Sequence, residues 1–167
     1  MTMLGVAKNR LAEERKSWRK DHPFGFVAKP SQGAGGEVNM MQWKCVVPGK
    51  KGTDWEGGRY PVTLTFSSDY PTKPPMAEFP PRFFHPNVYP SGKVCLSIIN
   101  DPGTWKPSIT IKAILTGIQD LLDTPNNSDA AQEDAFYCYD RSPAEYKRSP
   151  CPPALSTPFP MSSPFII

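Results

Sequence analysis

The amino-acid sequence has no long apolar segment. None of its hydrophobic runs approaches the roughly 20 residues that an α-helix needs to span a bilayer. The N-terminal stretch MTMLGVAKNRLAEERKSWRK also lacks the apolar core of a secretory signal peptide. We therefore expect an intracellular protein that makes no contact with a membrane.

Paired cysteines are missing as well. The four cysteines of the chain form no Cys-x-x-Cys motif: Cys45, Cys95, Cys138 and Cys151. This spacing predicts free thiols, and it disfavours both a zinc site and a disulfide framework.

The formal net charge of the chain is small, +3, but basic residues are concentrated near the N-terminus. The basic residues of this segment are Lys8, Arg10, Arg15, Lys16, Arg19 and Lys20, opposed only by Glu13 and Glu14. Such a surface favours an acidic partner. Direct binding of nucleic acid is not expected, because the segment lacks the stacking aromatic residues and wider basic field of such surfaces.

Proline, in contrast, is abundant: the chain has 21, well above the usual share of about 5%. The prolines between Pro71 and Pro90 exclude helix and central strand, and they predict a long ordered loop of the kind that often carries function. Others lie in the low-complexity residues 149–167, which we predict to be a disordered tail. The chain length fits one folded domain, which we place at residues 1–148.

Hydrophobic periodicity predicts an α+β fold. Leu4, Leu11 and Trp18 recur at seven-residue spacing and predict an amphipathic first helix. The next segments alternate apolar and polar residues, as half-buried antiparallel strands do. These predicted strands are residues 41–47, 60–66 and 76–79.

Three later segments predict helices. Residues 111–122 follow the i, i+3, i+4, i+7 pattern and should form the central core helix. Asp129 and Gln132 have the spacing of an N-cap and its N3 partner in a second helix. Ser142-Pro143-Ala144-Glu145 predicts the start of a third, which prolines end almost at once.

The segment HPNVYPSGKVCLSIINDPGTW places Cys95 at the end of the proline-rich loop. A lone cysteine is more often an inert buried thiol than a nucleophile, but the ends of long loops commonly present reactive groups. His85 lies only ten residues upstream, locked before Pro86, which disfavours a protease-like pairing. A thiol without a base keeps a pKa near 8.5, which suits exchange with an activated thioester. The side-chain N–H groups of Asn87 suit the oxyanion of such a reaction.

These residues form a pattern. His85-Pro86-Asn87, a cysteine eight residues after the asparagine, Trp105-x-Pro107 and a following helix resemble the signature of ubiquitin-conjugating enzymes. The resemblance covers residues 4–148, including WRKDHPFGFVA, PGKKGTDWEGG, DYPTKPP and FFHPNVYPSGKVCLSI. The five residues NDPGT before Trp105, together with VCLSI and the basic first helix, are similar to the SUMO-conjugating branch. This implies a four-stranded antiparallel meander flanked by an N-terminal helix, a central helix and shortened C-terminal helices.

The resemblance also implies roles for individual residues. Cys95 would carry the modifier as a thioester, Asn87 would stabilise the oxyanion, and Tyr89 and Asp129 would flank the incoming lysine. Loop packing explains Tyr89 equally well, and a helix N-cap explains Asp129 equally well. The residues that support the site would be His85 and Pro86. The face that binds SUMO and its activating enzyme would consist of Arg15, Lys16, Arg19, Lys20 and His22. Substrate recognition would involve Ser91, Lys93 and Lys73.

The implied partners are SUMO, the SUMO-activating enzyme, SUMO ligases and substrate proteins bearing a target lysine. No bound cofactor is expected, since ATP is used by the upstream activating enzyme, and the nucleus and cytoplasm are the expected compartments. Two other readings stay open: a ubiquitin-conjugating enzyme, and a non-catalytic binding module of the same fold.

Three features depart from the SUMO branch. Met76 and Glu78 stand where relatives typically have lysines that read the acid of a hydrophobic-Lys-x-Glu motif, and we hypothesise that Lys93 compensates. Ala130 replaces a proline after Asp129. The long basic C-terminal helix of the family is cut off near Arg148.

Overall fold

The computed structural model describes residues 2–148 of the chain. Its sheet is a four-stranded antiparallel meander in the order β1-β2-β3-β4. The strands are β1 (Val27–Gln32), β2 (Val38–Pro48), β3 (Arg59–Thr65) and β4 (Met76–Glu78). The helices are α1 (Met3–Lys20), α2 (Ser97–Asn100), α3 (Ile111–Asp123), α4 (Glu133–Arg141) and α5 (Pro143–Arg148). The predicted α+β architecture is confirmed, whereas the predicted tail, residues 149–167, lies outside the described residues.

The inner face of the sheet holds the apolar residues of each alternating strand. Trp43 of β2 pairs with Leu64 of β3, which pairs with Ala77 of β4, and all three side chains are buried. Polar neighbours point to the outer face, where Thr63 lies opposite Glu78. Burial of one face fixes the register, because a slip of one residue would expose every apolar side chain.

Helix α3 forms the centre of the core. The side-chain oxygen of Thr110 caps its start by accepting a hydrogen bond from the backbone N–H of Ala113 at 3.1 Å. Its buried residues have the predicted helical spacing: Ile111, Ile114, Leu115, Ile118, Leu121 and Leu122. The helix ends at Asp123, two residues before Pro125, as the pattern predicts.

Helix α1 contacts β2 and is joined to α3 by a buried carboxylate. Its buried apolar residues are Ala7, Leu11 and Trp18. Leu4, predicted to lie on the same stripe, is in the first turn and is 43% exposed. Glu14 lies on the buried stripe instead, where it bonds Arg10 at 2.7 Å and accepts from the backbone N–H of Ile111 at 3.1 Å. Because the first N–H groups of a helix have no intrahelical partner, Glu14 stabilises the start of α3.

Beyond β4, residues 87–95 double back as a hairpin that continues the sheet. Lys93 pairs with Glu78 of β4 across an antiparallel bridge. The turn requires Gly92, whose φ is +99° and whose α-carbon lies against the backbone of Phe79, where a Cβ atom would clash. The hairpin therefore carries the end of the proline-rich loop to the edge of the sheet.

The prediction that Asp129 caps the next helix is wrong. Helix α4 begins at Glu133, and Gln132 occupies its N-cap position without a side-chain capping bond. The reason is a tertiary contact, because the backbone N–H groups of Ala131 and Gln132 donate hydrogen bonds to the carbonyl of Pro86 at 2.8 and 3.3 Å. This segment is thereby held against the proline-rich loop instead of extending the helix.

Helix α5 begins at Pro143, where the capping-box pattern predicts a helix start. Within residues 2–148, no helix combines the length and apolar character of a membrane span. The same residues contain no group of three or more histidine, cysteine, aspartate or glutamate side chains that could hold a metal ion.

Candidate active site around Cys95

Cys95 lies on the second arm of the hairpin, with a half-buried side chain. Its backbone N–H donates to the carbonyl of Asn87 at 2.8 Å, and the backbone N–H of Tyr89 donates to the carbonyl of Lys93 at 2.9 Å. Because these pairs are two residues apart in an antiparallel ladder, Tyr89, Lys93 and Cys95 share one face of the hairpin. The valine pair between them is fully buried on the opposite face.

The surroundings of Cys95 favour the protonated thiol. Burial and, to a smaller extent, the negative charge of Asp129 raise the pKa of Cys95 above its ordinary value, whereas Lys93 lowers it. Cys45, inside the sheet, shows the stronger form of the same effect, because burial raises its pKa to about 12. The Cys95 thiol is therefore not a preformed thiolate of the protease type.

His85 is completely buried in the loop that precedes the hairpin. Its Nε2 donates to the carbonyl of Leu121 at 2.9 Å, and its Nδ1 accepts from the backbone N–H of Asn87 at 3.0 Å. These partners define a neutral tautomer, and burial lowers the pKa of His85 to about 4. Both ring nitrogens of His85 therefore already have partners, and its role in supporting the site stays a prediction.

Asn87 is also fully buried, and both of its side-chain N–H donors are in use. They donate to the carbonyls of Asn126 and Asp129 at 2.7 and 2.8 Å, and the side-chain oxygen of Asn87 accepts from the backbone N–H of Asn126 at 2.8 Å. Asn87 and the carbonyl of Pro86 thus hold the segment that follows α3. Donation from Asn87 to an oxyanion requires the release of one of these carbonyls.

The two residues predicted to flank the lysine are both accessible. Tyr89 is 42% exposed on the hairpin. Asp129 is exposed on the segment that Asn87 holds, and its Oδ2 accepts a hydrogen bond from the side-chain amide of Asn126 at 3.0 Å. The negative charge of Asp129 contributes to the raised pKa of the Cys95 thiol.

Lys93 is exposed and lies two residues before Cys95 on the same arm of the hairpin. Its partner across the bridge is Glu78. Extending this antiparallel register by two residues places Met76, which is 40% exposed, next to Cys95. The surface beside the thiol therefore presents a thioether and a pair of opposite charges.

The other two predicted substrate-recognition residues are placed differently. Lys73 is exposed, but its ammonium forms an ion pair with the carboxylate of Asp69 at 2.6 Å. Ser91 is exposed at the hairpin turn, where its hydroxyl oxygen accepts from the backbone N–H of Lys93 at 3.4 Å. Of the two lysines, only Lys93 is joined by main-chain pairing to the site.

Comparison with known proteins identifies the fold. Residues 10–150 match the sequence model of the ubiquitin-conjugating enzyme family. The chain belongs to this family. SUMO-conjugating enzyme SCE1 of Arabidopsis thaliana is 63% identical over 86% of this chain and 90% of its own length. SUMO-conjugating enzyme UBC9 of Caenorhabditis elegans is 55% identical over 87% of the chain and 88% of its own length. Sumo-conjugating enzyme ubc9 of Dictyostelium discoideum is 53% identical over 87% of the chain and 92% of its own length.

The first helix of this ubiquitin-conjugating enzyme carries an open basic depression of about 560 Å³. It is lined by Ala12, Arg15, Lys16, Arg19, Lys20 and Met40. His22 follows the helix and stacks on Trp18 with 5.2 Å between ring centroids, while its Nδ1 lies 2.8 Å from the carbonyl of Trp18. The structure thus gathers the four basic residues predicted for this face and places His22 at the C-terminal end of α1.

Sequence reasoning missed two asparagines that shape the site of this ubiquitin-conjugating enzyme. The side-chain oxygen of Asn100 accepts from the backbone N–H of Leu96 at 2.7 Å and so fixes the turn directly after Cys95. Asn126 contacts both Asn87 and Asp129. The Asn-Asn-Ser-Asp run carries a local signal for an Asx turn, but its contact with the loop before the hairpin depends on the fold.

Proposed function

We infer that this chain is a SUMO-conjugating enzyme, which carries SUMO as a thioester on Cys95 and transfers it to a substrate lysine. The observation that carries this proposal is the setting of Cys95: a half-buried thiol whose pKa is raised by burial and by the exposed carboxylate of Asp129, presented by a loop that His85 and Asn87 hold. It occurs in a chain that is 53–63% identical to curated SUMO-conjugating enzymes over most of its length.

In the loading step, the Cys95 thiol exchanges with the thioester that joins SUMO to the activating enzyme. The sulfur of Cys95 forms a bond to the C-terminal carbonyl carbon of SUMO, the bond to the sulfur of the activating enzyme breaks, and the thiol proton passes to that leaving sulfur. One thioester replaces another, so the step requires no strong base. ATP is consumed upstream by the activating enzyme.

In the transfer step, the substrate lysine first loses a proton, because an ammonium with a pKa near 10.4 is not nucleophilic. The amine then forms a C–N bond to the thioester carbonyl, and the C–S bond breaks. The nitrogen loses its second proton to become the isopeptide N–H, and the departing Cys95 thiolate takes up that proton. Asp129 orients the lysine and accepts its proton, and Tyr89 packs against the lysine side chain. Asn87 stabilises the oxyanion only after it releases a carbonyl that it holds.

The partners follow from the same proposal. The basic face of α1 binds SUMO and the activating enzyme through Arg15, Lys16, Arg19, Lys20 and His22. SUMO ligases assist the transfer to substrate proteins. The enzyme works in the nucleus and cytoplasm and uses no resident cofactor.

A thioester assay tests this function. The protein is incubated with ATP, SUMO and a SUMO-activating enzyme, and in parallel with ubiquitin and its activating enzyme. We expect an adduct in the incubation with SUMO and none in the incubation with ubiquitin. A reducing agent should remove this adduct. The Cys95→Ser variant should give no reducible adduct, while Cys138→Ser, a control at a second half-buried thiol, should retain it.

Each alternative predicts a distinct result. An adduct with ubiquitin but not SUMO would show a ubiquitin-conjugating enzyme. No adduct with either modifier would show a non-catalytic member of the family. A reducible adduct that persists in Cys95→Ser would place the acceptor on another cysteine.

A further inference from the structure

Asn126 forms hydrogen bonds with both Asn87 and Asp129 and has no role in the reaction steps described above. We propose that Asn126 is a positioning residue for lysine transfer: its side-chain amide holds one oxygen of the Asp129 carboxylate, so that the other oxygen faces the incoming lysine. The proposal rests on the proposed function, because it concerns the transfer step of that reaction.

The backbone of Asn126 is fixed independently of its side chain. Its N–H donates to the side-chain oxygen of Asn87 at 2.8 Å, and its carbonyl accepts from the side-chain nitrogen of Asn87 at 2.7 Å. Truncating the Asn126 side chain therefore leaves these bonds in place. This separation between backbone and side-chain contacts makes the role of the amide testable.

The side chain of Asn126 has a defined orientation. Its Oδ1 accepts from the backbone N–H of Ser128 at 3.0 Å, and its Nδ2 donates to Oδ2 of Asp129 at 3.0 Å. A flipped amide would bring its oxygen against the carboxylate and its NH₂ group against a backbone N–H. Both contacts select the orientation that directs the donor to Asp129.

The other end of Asp129 is also held, since its backbone carbonyl accepts from the side chain of Asn87 at 2.8 Å. Among the side chains that the structure describes, none donates a hydrogen bond to Oδ1 of this exposed carboxylate. A carboxylate otherwise rotates broadly about its last torsion, and fixing one oxygen restricts the direction in which the second accepts. Correct placement of a group beside a reacting atom contributes to rate by removing that rotational freedom.

Two variants separate this role from a purely structural one. Asn126→Ala removes both the acceptor for Ser128 and the donor for Asp129. Asn126→Asp has the same shape and keeps the acceptor for Ser128, but it places a second carboxylate against Asp129. If Asn126 only shapes the turn, Asn126→Asp should be the milder change; if the donor matters, it should be the more severe one.

The measurement is single-turnover discharge of the SUMO thioester to free lysine, after loading has been quantified. We expect Asn126→Ala to slow discharge by about fivefold to tenfold, the scale of one lost hydrogen bond of ordinary strength at an exposed site, and Asn126→Asp to slow it further. Loading of Cys95 should stay within twofold of wild type. The matched control is Asn127→Ala, the same substitution at an adjacent exposed residue, which should discharge at the wild-type rate.

A double-mutant cycle with Asp129→Ala completes the test. If Asn126 acts through Asp129, adding Asn126→Ala to Asp129→Ala should cause no further loss. Equal losses in both backgrounds, or a milder effect of Asn126→Asp than of Asn126→Ala, would overturn the proposal while leaving the proposed function intact. A wild-type protein that forms no thioester would overturn both.

Discussion

Two adjacent parts of the site use their polar groups in different ways. The frame, defined as His85, Pro86 and Asn87, is buried, and the side-chain nitrogen and oxygen atoms of His85 and Asn87 all have protein partners. The rim, defined as Tyr89, Lys93, Cys95 and Asp129, is exposed or half-buried and is positioned mainly through its backbone.

Because of this difference, substitutions in the frame should mainly affect stability, and substitutions in the rim should mainly affect the reaction rates. A buried polar group that loses its partner costs about 1–3 kcal/mol, so changes to the frame should appear first in the free energy of unfolding. Exposed groups contribute little to folding, and changes to the rim should appear in the rates of loading and discharge. The basic depression on α1 lies outside both parts and should affect partner binding alone.

The largest effect is expected for Asn87→Ala. The substitution removes three hydrogen bonds from a fully buried position and leaves the backbone of Asn126 and Asp129 without those partners. We expect the free energy of unfolding to fall by about 3–5 kcal/mol, measured by urea denaturation. The control Asn127→Ala should unfold like wild type. A variant Asn87→Ala with wild-type stability but slow discharge would instead show that Asn87 acts mainly on the oxyanion.

The next effect is a dependence of stability on pH that arises from His85. Its pKa is lowered from 6.5 to about 4 in the folded protein, so between these values the unfolded chain binds the additional proton. Stability therefore rises with pH through this window, and the contribution of His85 present at pH 7 falls by about 3 kcal/mol on acidification to pH 4.

Urea unfolding of wild type and His85→Gln across this range measures the effect. The variant should be less stable at pH 7, because it lacks the ring that bridges Leu121 and Asn87, but its stability should change less on acidification. Asn127→Ala, at an exposed residue that does not titrate, is the control and should keep the wild-type slope. Parallel profiles for wild type and His85→Gln would show that His85 does not titrate as its burial implies.

The same contrast explains what could be predicted from the sequence. Strands β2 and β3 and helix α3 were predicted correctly because burial of one face imposes a period of two or of 3.6 on the residues themselves. The site residues from His85 to Cys95 could be proposed from the sequence alone, since they lie within eleven consecutive positions and their order carries the family pattern.

Contacts between distant segments could not be predicted in this way. Asp129 has the local spacing of an N-cap, but Asn87, 42 residues away, binds its carbonyl, and Pro86 binds the N–H groups that follow. The buried position of Glu14 likewise depends on the start of α3, 97 residues away. In each case a partner supplied by the fold overrides the preference of the local sequence.

The smallest expected effect concerns Lys93. Lys93 is exposed on the rim and pairs with Glu78 through a backbone bridge, and an exposed charge contributes only about 0.2–1 kcal/mol to an ion pair. We expect wild type to transfer SUMO about threefold faster to a peptide with glutamate two residues after the target lysine than to one with glutamine. Lys93→Ala should remove this preference without changing stability, and added salt should weaken it in wild type.

Lys73→Ala is the matched control, because Asp69 already pairs with that ammonium, and it should retain the wild-type preference. An unchanged preference in Lys93→Ala would show that the negative charge of Glu78 offsets the positive charge of Lys93. The enzyme would then recognise its substrates without a contribution from the charge at position 93.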